Sequence, residues 1–223
     1  MREFVLAFVW LFDILKQCKN FALVVILYGV CLNILNAFSL DDLQNNIQQS
    51  LKGKTLQGKF TQEKQLQGFS NVLKSFGTFS LINNNDDSIK NNSERILLWE
   101  IKSPIKSSLK ITPKGVFEKV EKQDSSTKNE IEWIARNAQN QAIILEILSA
   151  DFSSLKKYFD FLFAEHNGVW NLTLTPKNAL ISKVFDSIIL QGLSTYPNLV
   201  EKVILQEKNG DKTTTTFSAI IIK

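Results

Sequence analysis

Apolar positions recur every three or four residues in "SLDDLQNNIQQSLKGK" (residues 39–54), where Leu40, Leu43, Ile47 and Leu51 fall on one helical stripe. Ser39 stands where an N-cap belongs, Asp41 and Asp42 follow in the first turn, and Gly53 closes the segment. The pattern predicts a first amphipathic helix. The period then changes to two. Residues 55–68, 72–82, 95–101, 107–112, 115–122 and 130–135 read as strands joined by short or polar turns, with a long polar loop at 83–94. Residues 137–150 and 149–161 return to helical spacing, the second with Phe152, Leu155 and Phe159 on one line. Strands resume at 161–165, 169–176, 183–192, 199–208 and 212–222, the last two joined through Asn209-Gly210, a strong hairpin signal. The expected architecture is two antiparallel meanders, about eleven strands in all, interrupted by a helical pair. No solenoid-type repeat is visible.

The N-terminus has a different texture. Phe4–Leu15 is apolar except for Asp13; Lys16 and Lys19 then precede the apolar run Phe21–Leu35 and the small-residue spacing Ala37-Phe38-Ser39. This is the n-region, h-region and cleavage-site order of a secretory signal. Residues 1–39 are therefore read as a leader, either cleaved after Ser39 or retained as a membrane anchor, since the run approaches the ~20 residues a spanning helix needs. Both cysteines, Cys18 and Cys31, lie in it, so residues 40–223, read as a single domain, contain no thiol and no disulfide. The expected location is the periplasm, as a free protein or tethered to the inner membrane.

Composition narrows the function further. The chain has 223 residues, 44% of them hydrophobic, with sixteen Phe, enough to bury a sizeable core. Its net charge of +4 is too mild and too dispersed for a nucleic-acid partner. His166 is the single histidine, beside Asn167-Gly168 in a turn, which leaves too little for a metal site or a Ser-His pair. Asp41-Asp42 sits at a helix start and Asp86-Asp87 at a loop tip, where solvated charge is expected rather than acid/base work. No phosphate or dinucleotide loop motif is present. The reading is a non-enzyme with no cofactor.

What remains is apolar surface. The helical insert is apolar over more than one stripe, through Ile143, Ile144, Ile147 and Leu148, beyond what a surface helix needs. Such a helix over a curved sheet either completes a dense core, the commoner outcome for apolar faces, or roofs a cavity for a greasy ligand.

The ordered motifs favour the second. "GKFTQEKQLQGFSNVLKSFGTFSL" followed by "LLWEIKSPIKSSLKITPKGV", then Trp170, Pro176, Gly192, Gly210-Asp211 and Phe217, resembles the LolA-type periplasmic lipoprotein carriers over nearly all of residues 40–217. The resemblance implies an unclosed half-barrel of about eleven strands with a central helical lid over an apolar cavity. It implies a monomeric carrier that takes acyl chains of lipoproteins, or another lipid or lipid-like product, from an inner-membrane release complex to an outer-membrane acceptor. Phe60, Phe79, Trp99 and Leu109 would point into the cavity, and Ile143, Ile144, Ile147 and Leu148 would form the lid's inner side. Carriers of this type hold the lid with an arginine followed by proline. Arg95 lies near that place without the proline, so it is either a lid latch or a surface arginine. A membrane-tethered acceptor or structural domain with a dense core is the alternative reading.

Overall fold

The computed structural model describes residues 38–84, 94–123, 129–136, 139–195 and 199–223. Residues 1–37 of the expected leader, with Cys18 and Cys31, and the Asp86-Asp87 pair lie outside them. Ser39–Lys223 form one compact unit.

Helix α1 spans Leu40–Leu51. Ser39 caps it as expected: its hydroxyl accepts from the Asp42 N–H while the Asp42 carboxylate accepts from the Ser39 N–H, a reciprocal capping box. Leu43, Ile47 and Leu51 are buried on its stripe, and Gly53 takes φ +65 just beyond its end.

Eleven strands follow: β1 (Thr55–Gln65), β2 (Val72–Asn84), β3 (Glu94–Ser103), β4 (Ser107–Thr112), β5 (Gly115–Gln123), β6 (Asn129–Arg136), β7 (Phe159–His166), β8 (Val169–Pro176), β9 (Phe185–Leu193), β10 (Lys202–Glu207) and β11 (Lys212–Ile222). They form one antiparallel sheet in the order β6-β5-β4-β3-β2-β1-β11-β10-β9-β8-β7. It does not close, and with its helices it has the architecture of a half-barrel. The chain starts in the middle at β1, steps outward to the β6 edge, crosses to the opposite edge at β7, and steps back until β11 pairs with β1. That crossing is the helical insert, α2 (Gln139–Leu148) and α3 (Phe152–Leu155). An insert that joins the two edges must pass over a face of the sheet, so the topology places it as a roof.

One expectation is corrected. The second helix of the insert is one turn, not the longer element the Phe152, Leu155, Phe159 spacing suggested. Lys157 and Tyr158 close a turn on Ser154 and Leu155, and Phe159 already pairs with Pro176 in β7. Tertiary pairing overrides a local helical spacing here. The Asn209-Gly210 hairpin forms as expected, through a three-residue loop. Glu207 N–H bonds to Asp211 O, Gly210 N–H bonds back to Glu207 O, and only Gly210 has positive φ. The Ser103–Pro104 peptide between β3 and β4 is cis.

The inner face of the sheet is apolar on alternate residues: Leu56 and Phe60, Phe79 and Leu81, Leu97 and Trp99, Leu109 and Ile111, Trp170, Leu172 and Leu174, Ile188 and Leu190, Val203 and Phe217 are all buried. Aromatics on this face lie over glycines of the paired strand. Phe60 is the register partner of Gly77 and Trp170 of Gly192. A Cβ on Gly77 would come within 2.4 Å of the Phe60 ring and 2.0 Å of the Glu100 carbonyl; one on Gly192 would come within 2.5 Å of the Trp170 ring.

Candidate ligand-binding site

Over β7–β9 the inner face is filled. Trp170, Leu172, Leu174, Ile188 and Leu190 there, and Phe152 and Leu155 of α3, have essentially no exposure, and the Phe152 ring lies edge-on to Phe161 of β7 at 6.0 Å. Over β1, β3, β4, β10 and β11 it is not. A cavity of about 130 Å³ remains between sheet and α2. The sheet contributes Trp99, Ile101, Leu109, Ile111, Val203 and Leu205 to its wall, with Gln62 and Thr215 as the polar members; α2 contributes Ile143, Ile144 and Ile147.

Of the residues singled out from the sequence, Trp99, Leu109, Ile143, Ile144 and Ile147 are brought together on this wall. Phe60 stands behind it, stacked on Trp99 with ring centroids 4.0 Å apart and planes 21° apart. Phe79 is one layer further, edge-on to Phe217 at 5.1 Å and tilted against Trp99 at 6.3 Å. It borders a depression at the Gln57/Lys59 irregularity of β1, with Gln57, Thr78, Ser80, Leu98 and Glu100 around it, rather than the cavity. Leu148 is buried in the helix–sheet contact and is absent from the wall. The aromatic quartet of Phe60, Phe79, Trp99 and Phe217 therefore forms a stiff backing, and only the Trp99 edge of it meets the cavity.

The roof is fastened by polar contacts at one end. Helix α2 ends in a Schellman arrangement: Ala150 N–H bonds to Ile147 O and Asp151 N–H to Glu146 O. Ala150, with φ +50 and fully buried, occupies the left-handed position usually given to glycine. Asp151 then caps α3 through the Ser154 N–H. Arg95, at the start of β3, donates to the Asp151 carboxylate at 2.7 Å and to Ser149 Oγ at 3.0 Å. Its side chain is 26% exposed and that of Asp151 18%. The cation also sits at the C-terminus of α2, where the helix dipole favours it. From α1, Gln48 Nε2 donates to the Ala150 carbonyl at 3.0 Å.

Burial would push the Asp151 carboxyl up, but hydrogen bonds from Arg95 and from the Ser154 N–H outweigh it and hold the group below its ordinary value. Glu146, half-buried on α2, is pushed up, first by desolvation and then by the neighbouring Asp151 charge. Ser149 and Asp151 were missed in reading the sequence. The signal for them was Asp151 three residues before Ser154, the spacing of a capped helix start.

Among the described residues no cluster of three or more His, Cys, Asp or Glu side chains could hold a metal ion. Among the same residues no helix is long and apolar enough to cross a membrane.

No protein-family model and no curated protein matches the chain. Solved structures similar to it include the MucA/MucB complex of Pseudomonas aeruginosa, at 11% identity and TM-score 0.41, covering 82% of this chain and 56% of that one. They also include a DUF1329 family protein from Desulfovibrio piger, at 12% identity and TM-score 0.42, covering 80% and 90%. A LolA superfamily protein from Nitrosomonas europaea matches at 7% identity and TM-score 0.36, covering 82% and 93%. The family named from the sequence is thus represented among them, and the chain spans a little over half the length of the MucB-complex chain.

Proposed function

We propose that this protein is a carrier of acyl chains, binding them between the inner face of its sheet and helix α2 and releasing them when α2 lifts. The observation that carries this reading is the combination of an apolar cavity with a roof fastened by a few directional bonds. Apolar burial supplies affinity without geometry, at about 0.8 kcal/mol for each methylene removed from water. The cavity of about 130 Å³ is smaller than the roughly 300–1,000 Å³ of ordinary ligand pockets. A whole chain therefore enters only if α2 moves outward, and Arg95, bridging β3 to Ser149 and Asp151, sets the cost of that movement. A roof with two positions makes uptake and hand-over the same equilibrium run in opposite directions.

With the leader at residues 1–39 directing export, the carrier works in the periplasm. Its cargo is the acyl part of lipoproteins or of a related lipid, taken up at the inner membrane and passed to an acceptor at the outer one.

Native mass spectrometry of the exported domain, followed by organic extraction, tests the reading. The expected result is an adduct of lipid mass in the wild type, lost in Ile144→Glu, whose charge would face the cavity, with sheet circular dichroism unchanged. A domain that is empty and also ignores fluorescent fatty-acid probes would overturn it. Leu148→Glu is the wrong variant for this purpose, because Leu148 is 2% exposed and a charge there would unseat α2 itself.

A further inference from the structure

The wall of the cavity is not uniformly greasy. Gln62 and Thr215 are register partners on β1 and β11 and both face the cavity. Gln62 Nε2 donates to Thr215 Oγ1 at 3.2 Å, and Ser75 Oγ on β2 donates to Gln62 Oε1 at 3.5 Å. Thr215 is 4% exposed. A primary amide offers two N–H donors and two acceptor sites, and a hydroxyl one donor. The bonds in place use one donor and one acceptor site of Gln62 and leave the Thr215 hydroxyl hydrogen unspent. An apolar ligand alone would gain nothing from such a wall, and valine at 215 with leucine at 62 would suit it better.

The next charged group on this face, two residues along β1, is Lys64. Its Nζ lies 2.9 Å from Glu207 and 3.4 Å from Asp211. The hydrogen bond to Glu207 outweighs partial burial and keeps the ammonium above its ordinary value, hence charged. Two carboxylates around one ammonium leave negative charge in excess at that place on the face, and among the described residues no lysine or arginine lines the cavity. An anionic head placed there would be desolvated beside carboxylates with no cation to receive it.

We propose that the Gln62–Thr215 wall selects acyl ligands whose polar end is uncharged and hydrogen-bonding, an ester, amide or hydroxyl, over those ending in a free carboxylate. This rests on the acyl-carrier reading above and names the ligand class within it.

The test compares two probes with the same chain, monopalmitoylglycerol and palmitate, by displacement of a fluorescent acyl probe from the wild type, Gln62→Leu and Thr215→Val. One or two neutral hydrogen bonds correspond to a preference of about threefold to tenfold for monopalmitoylglycerol in the wild type. That preference should vanish in Gln62→Leu and shrink in Thr215→Val, while palmitate binding stays level or rises; unchanged melting temperatures confirm that the variants are folded. Equal binding of both probes to the wild type, or an equal loss of both in Gln62→Leu, would overturn the selection and leave the carrier intact. Failure of both probes to displace the fluorophore at any concentration would overturn both.

Discussion

Two tryptophans on the same inner face have opposite surroundings. Trp170 on β8 is fully buried and lies against Gly192. Trp99 on β3 has one face stacked on Phe60 and meets the cavity beneath α2. One half of the sheet has been packed to completion and the other stopped one layer short. A dense interior and a cavity are built here from the same residue types on the same strand pattern. What differs is the cover: Phe152 and Leu155 of α3 are fully buried, while Ile143, Ile144 and Ile147 of α2 line the cavity.

The comparison can be broken most forcefully at Trp170. Trp170→Ala removes a full complement of packing contacts and should cost about 3–5 kcal/mol in denaturant unfolding. Trp99→Ala, which enlarges a space already present, should cost clearly less. Equal losses would mean that the two halves are packed alike. Next in size is Gly77→Ala. Its Cβ would press on the Glu100 carbonyl at 2.0 Å and on the Phe60 ring, so a loss of about 1–3 kcal/mol is expected from overpacking. Because Phe60 backs Trp99, the same variant should also weaken retention of acyl probes. Retention unchanged in a destabilised Gly77→Ala would uncouple the aromatic backing from the cavity.

The fastening of α2 is a smaller effect. A double-mutant cycle of Arg95→Leu and Asp151→Asn should give a coupling of about 1 kcal/mol in stability, as for partly exposed ion pairs. Both single variants should release bound acyl probe faster than the wild type. A coupling near zero would leave the roof held by apolar contact alone. The smallest effect is in pH. Because the folded state holds the Asp151 carboxyl below its ordinary 3.8, its contribution is present above that value and fades as pH falls from 3.8 through the depressed folded value. The melting-temperature gap between wild type and Asp151→Asn should therefore narrow as pH is lowered below 3.8. A gap that stays constant down to pH 2 would exclude the carboxylate as its source.

Much of the fold could be read from the sequence because alternation, capping and turn chemistry are local. Ser39 and Gly53 bound α1, and the limits of β4, β8 and β11 emerge as their patterns suggest. The resemblance implied an unclosed sheet but not its strand order, since no local signal says that β1 lies between β2 and β11. Reading failed where a distant strand decided the outcome, as when Phe159 joined β7 through Pro176. The site was half legible. Trp99 and the α2 isoleucines were found because large apolar residues in excess of one stripe are visible locally. Phe60 and Phe79 could not be separated from them, since all three aromatics share a face and only cross-strand stacking decides which one meets the gap. Gln62 and Thr215 were invisible for the same reason: each looks like an ordinary sheet polar residue until register sets them side by side on the inner face.

The position of Trp99 also makes the molecule self-reporting. Of the four tryptophans, Trp10 falls in the expected leader. Trp133 lies with Lys110 on the outer face, the ammonium 5.2 Å from its ring, and Trp170 is sealed from solvent. Trp99 alone of the described ones borders the cavity. With Trp133 replaced by Phe, the emission colour of residues 40–223 becomes a two-component signal, one constant from Trp170 and one that responds to whether the space beside Trp99 holds water or hydrocarbon. Loading and unloading can then be followed in real time, with no label attached to either the protein or its cargo.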